Sequence, residues 1–246
     1  EFLIGNGSTE LIHLLPAALQ IRHLLIVGPT FSEYAAAMMR AGGQVSMVMA
    51  LRREGYRPPL EQVLAALEKG PRNTPGEPPI DAVMLCNPNS PTGQACEAAM
   101  VRRVARQAAR LGQWCIVDET FADYCEQVSL LRERVPARTI VLRSFTKFYG
   151  LPGLRVGYAA GRAAVMRQLT AQQPPWSVNM PAQRAAQLAL QDRRHSKRSL
   201  RFMEEERAQF MKALARLPGC SPFPSAANFL LVELPARLKA APVASS

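Results

Sequence analysis

The stretch "HLLIVGPTFSEYAAAMMRAGGQVSMVMAL", residues 23–51, decides the fold class. Its first six residues, "HLLIVG" (23–28), form an apolar run of strand length. "SEYAAAMMRAG" (32–42) reads as a helix, and "QVSMVMAL" (44–51) as a second strand. The alternation continues outward. "LEQVLAALEKG" (60–70) is expected to be a helix closed at Gly70, followed by a loop, "PRNTPGEPP" (71–79). Then come strand "DAVMLCN" (81–87), helix "AAMVRRVARQAARLG" (98–112), and strands "WCIVDE" (114–119) and "TIVLRSF" (139–145). This order predicts an α/β fold, a mostly parallel sheet with helices on both faces. Ligands of such sheets gather at the C-terminal ends of the strands. After helix "RAAVMRQLTAQ" (162–172), "PPW" breaks the chain, a long helical stretch in two pieces runs to about Leu217, and a strand "NFLLVEL" (228–234) comes last. The domain reading is residues 1–174 as a large ligand-binding domain and residues 175–246 as a connecting helix with the start of a smaller α+β domain.

The chain has 246 residues, 48% of them hydrophobic, enough for one large core. No apolar run reaches the ~18 residues of a membrane span, and the N-terminus lacks a basic then hydrophobic leader. The expectation is a soluble protein without a membrane partner. Five scattered cysteines without a CxxC pair suggest a reducing, cytoplasmic setting, and the three dispersed histidines give no metal site. The net charge of +11 favours an anionic ligand. The basic run "RRHSKRSLR" (193–201) is followed by Glu204, Glu205 and Glu206, the pattern of a solvated helix face, so no nucleic-acid partner is expected.

Chemistry-bearing residues follow the strands. In "GNGSTEL" (5–11), Gly5 and Gly7 permit a tight turn, while Ser8 and Thr9 can cap the following helix and face an anion. The segment is neither a Walker A loop nor a GxGxxG, and a stretch of this kind alone is more often an ordinary capped helix than a phosphate cradle. Asp118 closes "WCIVD" at a strand end, where a carboxylate needs a cationic partner or loop amides. A protonated ring nitrogen would serve: at an effective dielectric of about 20 the pair is worth on the order of 4 kcal/mol before desolvation. In "NPNSPTG" (87–93) two prolines stiffen a loop from which Asn87, Asn89 and Ser90 can present hydrogen bonds. Phe31, in "GPTFSEY" (28–34), can stack on a planar ring or fill the core. In "RSFTKFYGLPGLRVGY" (143–158), Ser144 and Thr146 flank Lys147, and Arg155 offers a planar fork for phosphate. A lysine desolvated at such an edge becomes a nucleophile toward an aldehyde. Phosphate cradle, ring acid, stacking aromatic and nucleophilic lysine are together the parts that hold pyridoxal 5′-phosphate.

These stretches, with "VDETF" (117–121) and "ANFLLVEL" (227–234), resemble the fold-type I, aspartate-aminotransferase-like family of pyridoxal-phosphate enzymes over nearly the whole chain. Within the family, "RSFTKFYGLPGLRVGY" and "QQPPWSVNMPAQ" (172–183) are most similar to the L-threonine-O-3-phosphate decarboxylases of cobalamin biosynthesis, with histidinol-phosphate aminotransferases as near relatives. The resemblance implies that Lys147 carries the cofactor, Asp118 pairs with the ring nitrogen and Phe31 stacks on the ring. It also implies that Ser8, Thr9, Ser144, Thr146 and Arg155, beside Gly7, hold the phosphate. Ser90 stands where an asparagine usually meets the cofactor's phenolic oxygen, and Phe121 where a tyrosine often does, the phenylalanine fitting the decarboxylase branch. A homodimer is implied as well, as are an N-terminal segment and a carboxylate-gripping C-terminal region not seen in this stretch. The readings left open are decarboxylation, transamination, and a non-enzymatic sensor or inactive fragment.

Overall fold

The computed structural model describes residues 1–69 and 78–235. Gly70 and residues 71–77 of the loop expected over 71–79 lie outside the described residues. Seven strands form one sheet: β1 (Phe2–Gly5), β2 (His23–Gly28), β3 (Gln44–Met49), β4 (Ala82–Cys86), β5 (Trp114–Asp118), β6 (Thr139–Ser144) and β7 (Gly157–Ala160). Their order across the sheet is β1-β7-β6-β5-β4-β2-β3. Pairings among β2 to β6 are parallel, and β7 alone runs against both of its neighbours.

The central strands are apolar because both faces are covered, the composition expected of a parallel sheet between helices. Alternate residues divide between the two sides. Leu24, Ile26, Met84, Ile116 and Ile140 pack under α1 (Gly7–Ala18), α2 (Glu33–Arg40) and α5 (Ala163–Gln172). Leu25, Val27, Val83, Val117 and Val141 pack under α3 (Leu60–Lys69) and α4 (Ala98–Arg110). On α4, the apolar positions Val101, Val104, Ala105 and Ala108 recur at helical spacing and are all buried. Beyond the sheet lie α6 (Met180–Gln191) and α7 (Arg193–Ala215), the two expected helical pieces. Among the described residues no helix is long and apolar enough to cross a membrane.

Two edges differ from expectation. β1 was not anticipated; it is short and owes its place to pairing with β7, more than 150 residues away in the chain. The strand expected over 228–234 shrinks to β9 (Val232–Glu233), paired with β8 (Ser221–Pro222). The pairing continues one step further through the Phe223 N–H, which donates to the Leu231 carbonyl at 2.8 Å.

Candidate active site

Because β2, β4, β5 and β6 run in parallel, their C-terminal ends deliver their loops to one edge of the sheet. β1 ends at the same edge and leads into α1. Its Gly5 and Ser144 of β6 both lie opposite Gly157 of β7. Gly157 is what lets them converge: a Cβ there would stand 2.7 Å from the Ser8 nitrogen and 2.7 Å from the Arg143 oxygen. The absence of a side chain seats the first turn of α1 directly on the strand. Sequence order thus becomes a cavity of about 170 Å³.

At the α1 side of the cavity, Ser8 and Thr9 line the wall from inside the first helical turn. The expected capping role is not theirs, since Asn6 occupies the N-cap and makes no side-chain cap bond. The first-turn N–H groups of a helix have no intrahelical acceptors, and the helix dipole favours an anion there. Gly7 adopts a left-handed φ of 72°, and a Cβ on it would come within 2.5 Å of Arg155 Nη2. The arginine fork therefore rests against the helix start, with Nη1 donating to the Pro152 carbonyl at 3.1 Å. The Ser144 and Thr146 hydroxyls, 2.9 Å apart, complete a hydroxyl and cation cluster around this end of the lining.

Asp118 is 3% exposed. Its Oδ1 accepts from the Thr120 N–H at 2.9 Å and its Oδ2 from the Tyr34 hydroxyl at 2.8 Å. Burial pushes its carboxyl above the usual 3.8, with the Thr120 and Tyr34 bonds pulling back. Among the described residues no cation forms an ion pair with it. The Thr120 hydroxyl is also buried in the lining without a hydrogen-bond partner. A buried acid short of a cation and a stranded hydroxyl are features that a polar heterocycle with a protonated nitrogen would satisfy.

Phe31 is 41% exposed at the cavity mouth, its ring available to stack. Ser90 lines the wall as well, and Phe121 does so while packing edge-on against Phe229 at 5.1 Å. Lys147 reaches the same cavity, yet it is exposed, contrary to the expectation of a desolvated lysine. Asn87 is a further correction. Its amide is spent on the backbone of Cys96, donating from Nδ2 at 3.1 Å and accepting at Oδ1 at 2.7 Å, so it shapes the loop and leaves the cavity to Ser90. Asn89 likewise ties two loops together, accepting from the Thr30 hydroxyl and donating to the Pro29 carbonyl, both at 2.8 Å.

Tyr34, Thr120 and Cys86 line the cavity without having been singled out from sequence. The Cys86 thiol, pushed up to about 12 mainly by burial, is an inert wall rather than a nucleophile. On the opposite side of the strand ends lies a buried ion cluster. Glu119 Oε2 receives Arg143 Nε at 3.0 Å and the Ser129 hydroxyl at 2.6 Å, and Arg143 Nη1 reaches Asp123 at 3.0 Å. Among the described residues no group of acidic, histidine or cysteine side chains is arranged to hold a metal.

The sequence profile of the family described as Aminotransferase class I and II matches residues 1–245. The chain is 34% identical over 236 residues to the threonine-phosphate decarboxylase of Salmonella typhimurium, covering 94% of this chain and 62% of that protein. It is 32% identical over 242 residues to the histidinol-phosphate aminotransferase of Moorella thermoacetica, covering 95% and 59%. The solved histidinol-phosphate aminotransferase of Clostridium acetobutylicum superposes with a TM-score of 0.85 at 25% identity, over 96% of this chain and 68% of that one. The chain therefore spans about three fifths of the length of the curated relatives it matches.

Proposed function

The chain belongs to the class I and II aminotransferases, pyridoxal-phosphate enzymes, and from that premise we propose that the strand-edge cavity holds pyridoxal 5′-phosphate and that the whole protein decarboxylates L-threonine O-3-phosphate. The observation that carries the cofactor reading is the meeting of Lys147, Asp118, Phe31 and Arg155 in one cavity. When bound, the cofactor supplies an aldehyde for amines and a cationic ring that accepts the electron pair of a bond broken at Cα. Asp118 would keep the ring nitrogen protonated. Phe31 would cover the ring, while Arg155, Ser8, Thr9, Ser144 and Thr146 would hold the phosphate.

Lys147 would carry the cofactor covalently. With a substrate amine bound in its stead, the Lys147 ε-ammonium would be the acid that returns a proton at Cα, in the position that CO₂ vacates. The product of that reaction is 1-aminopropan-2-ol O-2-phosphate, and the proposal includes a role in cobalamin biosynthesis, supported by the likeness to the Salmonella decarboxylase. Decarboxylation is favoured over transfer by the greater identity to the Salmonella decarboxylase and by Phe121, which brings no hydroxyl to the wall. Transamination of histidinol phosphate is the second reading, supported by the Moorella relative. A homodimer belongs to the same proposal. Leu190, Phe202 and Phe210 are exposed on α6 and α7 and offer apolar surface for association.

The full-length protein, supplied with L-threonine O-3-phosphate, is expected to release CO₂ without a keto acid. Amino transfer to a keto acid with no CO₂ would overturn the decarboxylase assignment in favour of the second reading.

A further inference from the structure

Tyr34 is 1% exposed, one of the most deeply buried aromatic side chains in the molecule, yet it lines the cavity. It touches two of the groups assigned to the cofactor ring. Its hydroxyl donates to Asp118 Oδ2 at 2.8 Å. Its ring meets Phe31 edge-on, with centroids 5.6 Å apart and planes at 82°. With Asp118 Oδ1 fixed by the Thr120 N–H, the tyrosine bond holds the second oxygen and so the orientation of the whole carboxylate. We propose that Tyr34 is a positioning residue for cofactor recognition, setting the carboxylate that meets the ring nitrogen and bracing the aromatic that covers the ring. The inference rests on the pyridoxal-phosphate reading of the cavity.

A tyrosine that merely filled the core would not need its oxygen. Tyr34→Phe removes that oxygen alone, retaining the edge contact to Phe31 and the packing around α2. The loss therefore falls on the carboxylate. A hydrogen bond to a charged group is worth enough to change an equilibrium about tenfold when removed. The effect should depend on the ring nitrogen, because only a protonated nitrogen uses the Asp118 charge. It should also grow as pH falls, since a carboxylate deprived of a donor protonates more readily and a neutral Asp118 cannot pair with a cation.

The test titrates two probes into the full chain: pyridoxal 5′-phosphate, and its 1-deaza analogue, in which C–H replaces the ring nitrogen. Binding is read by absorbance, and the cofactor-free melting temperature is recorded for each protein. Tyr34→Phe is expected to weaken pyridoxal phosphate about tenfold near neutral pH, and further at lower pH, while changing the analogue by less than about twofold. Phe31→Ala, which removes the stacking face, is expected to weaken both probes alike. Equal weakening of both probes by Tyr34→Phe, or no weakening of either, would overturn the positioning role. Failure of the unmutated chain to bind pyridoxal phosphate would instead overturn the cofactor reading on which the inference depends.

Discussion

Asp118 occupies a place where the fold disfavours its charge. Burial is the largest influence on it and pushes its carboxyl above 3.8. An acid whose folded-state pKa is raised favours folding most when protonated. Its contribution is fully present below the ordinary value and is lost as pH rises through the raised one. Without cofactor, Asp118→Asn is therefore expected to melt higher than the unmutated chain near neutral pH, the difference shrinking as pH falls toward about 4. The same substitution removes the acid for the ring nitrogen, so pyridoxal-phosphate affinity should fall while stability rises, a trade common at functional sites. Melts across this pH range check the idea. A difference that stays constant with pH, or favours the unmutated protein near neutrality, would contradict it. Lys147 shows the opposite kind of residue: its place at the cavity was legible from "SFTKFYG", but its exposure was not, because nothing in the sequence states how open the cavity mouth is.

Neighbouring residues on β5 and β6 face opposite ways, so each strand end has a site side and a back side. Asp118 and Ser144 line the cavity, while the adjacent Glu119 and Arg143 form the buried ion pair behind it. That pair clasps the two strands whose ends carry the ring acid and the lysine loop. Glu119 is 0% exposed and also accepts the Leu130 N–H at 2.7 Å, so it has no recourse to water if its cation is removed. Breaking a buried pair from one side costs about 3–5 kcal/mol, because the surviving charge is left uncompensated. Arg143→Met is expected to lose an amount of that order in urea unfolding. Adding Glu119→Gln, which keeps an acceptor for Leu130 but removes the charge, should recover much of it. Losses that simply add would show that the two residues are not coupled through charge. This clasp escaped the sequence reading for the same reason as Tyr34. The partner of Tyr34 lies 84 residues along the chain and that of Arg143 lies 24 residues away, and no local periodicity encodes either separation. Apolar runs such as 23–28 and 82–86, by contrast, announce buried strands wherever they are placed.

At the scale of the molecule, α/β order told where the loops would meet, and the parallel sheet brought Ser8, Asp118, Ser144 and Lys147 together as that order implied. The edges were less readable: β1 and β9 exist through pairing partners, and short strands carry little signal of their own. A site assembled from so many separate segments exists only in the folded chain, so a ligand that uses it must stabilise the whole fold. At a free concentration a hundredfold above its dissociation constant, such a ligand adds about 2.7 kcal/mol. For a chain of this size that corresponds to a rise of roughly 5–10 °C in melting temperature. The net charge of +11 supplies a competing explanation, since any phosphate ester is drawn to a basic surface. Salt separates the two. Diffuse attraction is largely screened by about 0.5 M salt, whereas an enclosed phosphate held by Arg155 and the start of α1, and tethered through Lys147, is screened far less. Pyridoxal phosphate is thus expected to raise the melting temperature in high salt, and inorganic phosphate to do so much less. Lys147→Ala should keep only the non-covalent part of the shift and yield no borohydride-stable adduct in intact mass. A shift that vanishes with salt, or that Lys147→Ala retains in full, would mean the cavity does not bind the cofactor through this lysine.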